Sequence, residues 1–166
     1  MPQVSQRGIE LPASPIRKLT PFADQAKKRG MKVYHLNIGQ PDLPTPEKAL
    51  NAVRKIGRKT LEYSPSQGLK SLRDKFAVYY RKFGIDLSPE QIIVTAGGSE
   101  ALLATFLTCF DEGDEVIITE PGYANYLGFA KAAGLTVKAV TSRIEDRFAL
   151  PSAEDFRKAI TPKTKA

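Results

Sequence analysis

The stretch Ile92-Ile93-Val94-Thr95-Ala96-Gly97-Gly98-Ser99-Glu100-Ala101-Leu102-Leu103 holds the residues with the most evident chemical use. An apolar, β-branched run stops at two glycines and a hydroxyl residue, and an apolar helical run begins at once. A helix starting there leaves its first backbone N–H groups without intrahelical acceptors. Those donors, together with the positive end of the helix dipole, suit a phosphate. Gly97 and Gly98 let the backbone approach such an anion, and Ser99 can add a hydroxyl donor. The pattern is neither a Walker loop, G-x-x-x-x-G-K-[ST], nor the dinucleotide fingerprint G-x-G-x-x-G. By itself it also describes an ordinary strand–helix turn.

Several elements must position that corner. Ile16, Leu19, Ala23 and Ala26 recur at helical spacing between Pro15 and Arg29, and Gly30 supplies a stop. Residues 1–14 read as an extended arm. Val33 to Ile38 alternates apolar with polar and reads as a short strand, running into the proline-rich loop Gly39-Gln40-Pro41-Asp42-Leu43-Pro44. Thr45 before Pro46 marks a helix start whose apolar face is Ala49, Leu50, Val53 and Ile56. A turn-rich loop, Tyr63-Ser64-Pro65-Ser66-Gln67-Gly68, precedes a helix from Leu69 to Phe83. Its inward residues are expected to be Leu72, Phe76, Tyr79 or Tyr80, and Phe83.

Beyond Ser88-Pro89-Glu90 strands and helices alternate. Strands are expected at 92–95, 116–119 and 136–140, and helices at 99–110, 124–133 and 152–160. Strands separated by helices imply parallel crossovers and an α/β fold. The helix over 100–110 is apolar nearly all round, which predicts deep burial. Thr161-Pro162-Lys163-Thr164-Lys165 reads as the approach to a further strand that the chain does not contain, so the chain is expected to be part of a longer protein.

Composition bounds the function. The 166 residues have the length of one ordinary domain and the apolar and charged fractions of a soluble protein. No stretch approaches the roughly 20 apolar residues of a membrane span, and the N-terminus is not a secretory signal. Cys109 is the single cysteine, read as a small buried side chain in a cytoplasmic protein. The net charge of +7 points to anionic ligands. Lys27-Lys28-Arg29 and Arg54, Lys55, Arg58 and Lys59 nevertheless crowd helix ends, where cations are usually just solvated, and no nucleic-acid motif accompanies them. His35 has no partner at metal-ligand spacing, so no metal is expected.

Five segments, in order, resemble the N-terminal half of class I/II aminotransferases, the fold-type-I enzymes dependent on pyridoxal phosphate, and above all their bacterial aspartate branch. They are Ser14-Pro15-Ile16-Arg17, Leu36-Asn37-Ile38-Gly39-Gln40-Pro41-Asp42, Tyr63 to Gly68, Val94 to Leu102, and Glu120-Pro121-Gly122-Tyr123-Ala124-Asn125-Tyr126. The resemblance implies a three-layer α/β/α large domain with a mainly parallel sheet, cut off before the sheet is complete. Residues 1–45 would give the arm, helix and strand of a small-domain contribution, and 46–166 the first part of the cofactor-binding large domain. It also implies pyridoxal 5′-phosphate as cofactor, with Gly97, Gly98 and Ser99 at its phosphate and Tyr123 against its ring. Tyr63 would reach the phosphate from a neighbouring subunit, which makes the protein a homodimer with shared active sites. Gly39, with Ile38 beside it, would face the substrate carboxylate; Asn125 and Tyr126 are given packing roles.

The activity implied is transfer of an amino group from an amino acid, aspartate first among candidates, to a 2-oxo acid such as 2-oxoglutarate. No catalytic residue is assigned in this chain. The lysine that carries the cofactor, an aspartate and an arginine all follow later in the family. Lys163 and Lys165 stand in the wrong context to replace that lysine, so these residues alone are expected to be inactive. C–S lyases, aminocyclopropane carboxylate synthases and decarboxylases share these N-terminal motifs. An aminotransferase-like ligand domain of a transcriptional regulator is a further alternative, although only a short arm precedes Pro15. A plain α/β domain with a phosphate site explains the glycines but not Gly39, Tyr63 and Tyr123 in order.

Overall fold

A computed structural model describes residues 2–166 and resolves two compact units. One comprises the residues up to Lys32 together with Ala96–Ala166; the other is Val33–Thr95.

The first unit is built on two parallel strands, β1 (Glu115–Glu120) and β2 (Thr136–Thr141), paired from Glu115↔Thr136 to Glu120↔Thr141. Parallel neighbours need a crossover. Here it is a short helix over Asn125–Ala132, α6 in a chain order whose earlier members are α1 (Gln6–Glu10), α2 (Thr20–Lys28), α3 (Glu47–Arg54), α4 (Lys70–Arg81) and α5 (Gly98–Cys109). The last helix is α7 (Ala153–Ala159). The core is Phe106 of α5, Val116 of β1, Ala130 of α6 and Leu135, with Leu102, Phe110, Ile118, Phe129 and Val137 packed around it. This is the α/β architecture that the alternating pattern predicts. The residues Lys163–Ala166, expected only to lead towards a strand, already run parallel along the other side of β1. Glu115 N–H donates to the Lys163 carbonyl at 2.9 Å, and Lys165 N–H to the Glu115 carbonyl at 2.9 Å.

Three expectations for this unit fail. The arm is not wholly extended: α1 forms at Gln6–Glu10, because Ser5 accepts from Gly8 N–H and Glu10 pairs with Lys131 of α6. Deep burial of α5 is not observed, because only the face through Leu102, Phe106 and Phe110 meets the core; Leu107 is 61% exposed. Cys109, on the uncovered side, is exposed rather than buried.

In the second unit, Val33–Ile38 forms no strand. Ile38 N–H turns back to the His35 carbonyl at 3.4 Å, so His35 lies at a turn. Residues 92–95 form no strand either: Val94 N–H donates to the Gln67 carbonyl at 3.0 Å, a single bond to a loop in place of a ladder. The Thr45 hydroxyl does not cap α3, which starts after Pro46 without a side-chain cap. On α4 the buried positions are Arg73 and Ala77, one helical turn apart, and Phe76 and Tyr80 are half-buried. Leu72 and Phe83, expected inward, are exposed at 38% and 64%. Among the described residues no helix is long and apolar enough to cross a membrane.

Glu115 clasps the C-terminal residues to the sheet. Its carboxylate accepts from the Thr161 hydroxyl at 2.6 Å and the Thr164 hydroxyl at 3.4 Å, and pairs with Lys138 at 3.5 Å. The Thr161 hydroxyl above all holds the Glu115 carboxyl below the usual carboxylate value, against the opposing effect of burial. A carboxyl depressed in the folded state stabilises above its unfolded value of 4.5 and loses that contribution as pH falls through its folded value. The thermal midpoint of the protein should therefore exceed that of its Glu115→Gln variant near neutrality. The gap should narrow from about pH 5 to about pH 3; a gap independent of pH would contradict the clasp.

Candidate cofactor site

The backbone at Gly97 decides where α5 begins. Gly97 sits at φ +126°, ψ 173°, a region essentially closed to residues with a Cβ. The first helical bond of α5 runs from Ala101 N–H to the Gly97 carbonyl. The N–H groups of Gly98, Ser99 and Glu100 therefore have no acceptor within the helix, and all three residues are exposed. A Cβ on Gly98 would meet nothing within 4 Å, so open space lies beside that residue. The Glu100 carboxylate turns back to accept from Ala96 N–H, which braces the turn.

Tyr123 is delivered by the other end of the α5–β1 pair. After β1 a cis peptide joins Glu120 to Pro121. Gly122 then passes so close to the Thr119 carbonyl that a Cβ would lie 2.5 Å from it. The Tyr123 ring is half exposed, meets Tyr126 edge-to-face at 5.4 Å, and its hydroxyl oxygen accepts from Asn125 Nδ2 at 2.8 Å. Asn125 thus does more than pack: it fixes the phenol. The short turn Asp111–Asp114 reverses the chain between α5 and β1, so the start of α5 and the end of β1 face the same way. Leu102, one turn into α5, accordingly shares a groove with Thr119 and Tyr126. Gly97, Gly98, Ser99 and Tyr123 all belong to the first unit. Beside Tyr123 opens a cavity of about 410 Å³, lined also by Thr119, Glu120, Leu127 and Pro15, the last belonging to a family-like segment but given no site role from the sequence.

Tyr63, Gly39 and Ile38 belong to the second unit. Tyr63 stands fully in solvent, Ile38 is 46% exposed, and a Cβ on Gly39 would meet nothing within 4 Å.

Residues 31–166 match the model of the family described as aminotransferase class I and II. The chain belongs to that family. The class I and II aminotransferases depend on pyridoxal 5′-phosphate and share the fold-type-I architecture. The aspartate/prephenate aminotransferase of Thermus thermophilus is 36% identical over 144 residues, which are 86% of this chain and 37% of that one. The aspartate aminotransferase of Thermotoga maritima is 35% identical over 165 residues, covering 98% of this chain and 44% of its own length. A solved single mutant of Thermus thermophilus aspartate aminotransferase is 34% identical and superposes with a TM-score of 0.91, over 99% of this chain and 44% of that one. The chain thus spans less than half the length of these relatives.

The donors at the start of α5 fit the cofactor's phosphate. Three backbone N–H groups, an exposed Ser99 hydroxyl and open space suit an anion, and the half-exposed Tyr123 face suits a flat heterocycle.

The two glycines separate by substitution. Gly97→Ala forces a Cβ into a disallowed region and should cost about 1–3 kcal/mol. Gly98→Ala meets no neighbour and adds helix propensity, so its stability should stay within about 0.5 kcal/mol of the parent. Urea unfolding midpoints of the two variants check this. Equal losses would mean that the Gly97 backbone is not the constraint.

Proposed function

We propose that the protein containing these residues is an amino-acid transaminase that moves an amino group from aspartate to 2-oxoglutarate, as a cytoplasmic homodimer. Membership of the class I and II aminotransferases supports the reaction class, and the names of the relatives, aspartate/prephenate and aspartate aminotransferase, support the substrate. The carrying observation is the exposed donor set at the start of α5, with a half-exposed Tyr123 in the same unit.

In this reading Gly98 and Ser99 hold the cofactor phosphate through backbone N–H groups, and Ser99 adds its hydroxyl. Gly97 supplies the backbone angle that aims them. The face of Tyr123 would lie against the pyridine ring, while Asn125 donates to its hydroxyl. Tyr63, whose ring is fully exposed, reaches the phosphate of the neighbouring subunit. Gly39 turns its N–H to the substrate carboxylate, with Ile38 flanking it. When bound, pyridoxal phosphate supplies an electron sink for chemistry at the substrate Cα. The chain's own contribution is binding and orientation. No side chain in it is assigned to move the Cα proton, so these residues alone should not turn over substrate.

The complete protein, given aspartate and 2-oxoglutarate, should yield oxaloacetate and glutamate. Ammonia or pyruvate in their place would move it to a lyase reading, and carbon dioxide with the nitrogen retained to a decarboxylase one. Ser99→Ala should weaken pyridoxal phosphate roughly tenfold, the size of one hydrogen bond to an anion. Unchanged affinity would remove Ser99 from the site.

A further inference from the structure

Arg73 is buried at 8% exposure on α4, in a helix whose apolar pattern predicts a leucine as the inward residue. It forms no ion pair among the described residues. Its Nε donates to the Gly68 carbonyl at 3.3 Å and its guanidinium to the Pro89 carbonyl at 2.7 Å. Burying a guanidinium against neutral carbonyls carries a desolvation cost that a hydrocarbon of the same volume would avoid. What the guanidinium adds is geometry: rigid, divergent N–H donors that tie two separate backbone segments from one position.

Both segments bear on one loop. Gly68 ends the run that begins at Tyr63. The end of that run is held at three points: Gly68 N–H to the Pro65 carbonyl at 2.7 Å, the Gln67 carbonyl to Val94 N–H at 3.0 Å, and the Gly68 carbonyl to Arg73. Pro89 opens the short 3₁₀ turn Pro89–Gln91, which leads directly into Ile92 and Val94. Arg73 therefore fastens the loop both at Gly68 and through the segment that carries Val94. Tyr63, on the far side of Pro65, is fully exposed and packs against none of the described residues.

We propose that Arg73 is a positioning residue for Tyr63: its buried guanidinium ties Gly68 to Pro89, and the Tyr63–Gly68 loop so fixed presents the phenol to the cofactor phosphate. This rests on the reading of Tyr63 given above. A lysine at the same place offers a single point charge and reaches one carbonyl or the other, not both.

The test is a double-mutant cycle in the complete protein, with the dissociation constants of pyridoxal 5′-phosphate and of phosphate-free pyridoxal measured on the cofactor-depleted form. Amide exchange at Val94 and Gly68 is followed alongside. Arg73→Lys and Tyr63→Phe should each weaken pyridoxal phosphate roughly fivefold to tenfold, the size of one hydrogen bond, and leave pyridoxal unaffected. The double variant should bind no worse than the weaker single one. Exchange at Val94 should quicken in Arg73→Lys and not in Tyr63→Phe. Multiplying effects, or unchanged affinity in Arg73→Lys beside a weakened Tyr63→Phe, would overturn the proposal, as would slow exchange at Val94 in Arg73→Lys. Wild-type affinity in Tyr63→Phe with fast Val94 exchange in Arg73→Lys would overturn it too, and would locate the fault in the Tyr63 reading rather than in the clamp. Gly68→Ala covers the case in which Arg73→Lys does not fold. Its Cβ would lie 2.6 Å from Val94 Cβ at φ +90°, shifting the same loop with Arg73 intact. It too should lose affinity for pyridoxal phosphate and not for pyridoxal; unaltered binding would refute control by the loop.

Discussion

Everything in the first unit hangs on β1. Its Val116 is 3% exposed at the centre of the core, its backbone pairs with β2 on one side and with Lys163–Ala166 on the other, and its end runs into Tyr123. A strand hydrogen-bonded on both edges and covered by α5 and α6 has little freedom left. The same strand leads to the site, since Gly122 passes close to the Thr119 carbonyl immediately before Tyr123.

The two parts of the candidate site use different chemistry. At the start of α5 the functional groups are main-chain N–H donors, and the side chains matter by being small or absent. At Tyr123 and Tyr63 the functional group is an aromatic side chain. Main-chain donors are aimed by helix geometry and need only the right angle at Gly97. Aromatic rings need partners to hold them, and the two tyrosines differ there: Tyr123 has Tyr126 and Asn125, whereas Tyr63 has only the stiffness of its loop.

This difference explains what was legible in the sequence. Helix boundaries are written in local grammar, so α4, α5, α6 and α7 fall close to where periodicity, glycine and serine put them. The donor corner was legible for the same reason, since Gly97-Gly98-Ser99 carries its chemistry in the backbone. Residues 92–95 have the composition of a strand, but a strand is defined by its neighbour, and Val94 spends its N–H on Gln67. The face of α4 was misread because an arginine occupies the buried position while Leu72 faces out. Hydrophobicity ranks side chains by type and is blind to carbonyls waiting at Gly68 and Pro89. The burial of α5 was overstated because composition tells how much of a helix is apolar and not how much is covered. Tyr123's bond to Asn125 needed the turn geometry, which no residue pattern announces.

The clasp at Glu115 bears on the order in which the first unit assembles. Its carboxylate reaches a hydroxyl 46 residues further along the chain, whereas its backbone faces Thr136 through the shorter α6 crossover. Closing the longer loop is entropically harder unless the shorter one has already drawn the chain in. The clasp at Thr161 and Thr164 therefore closes at the lowest entropic cost on a β1–β2 pair that already exists.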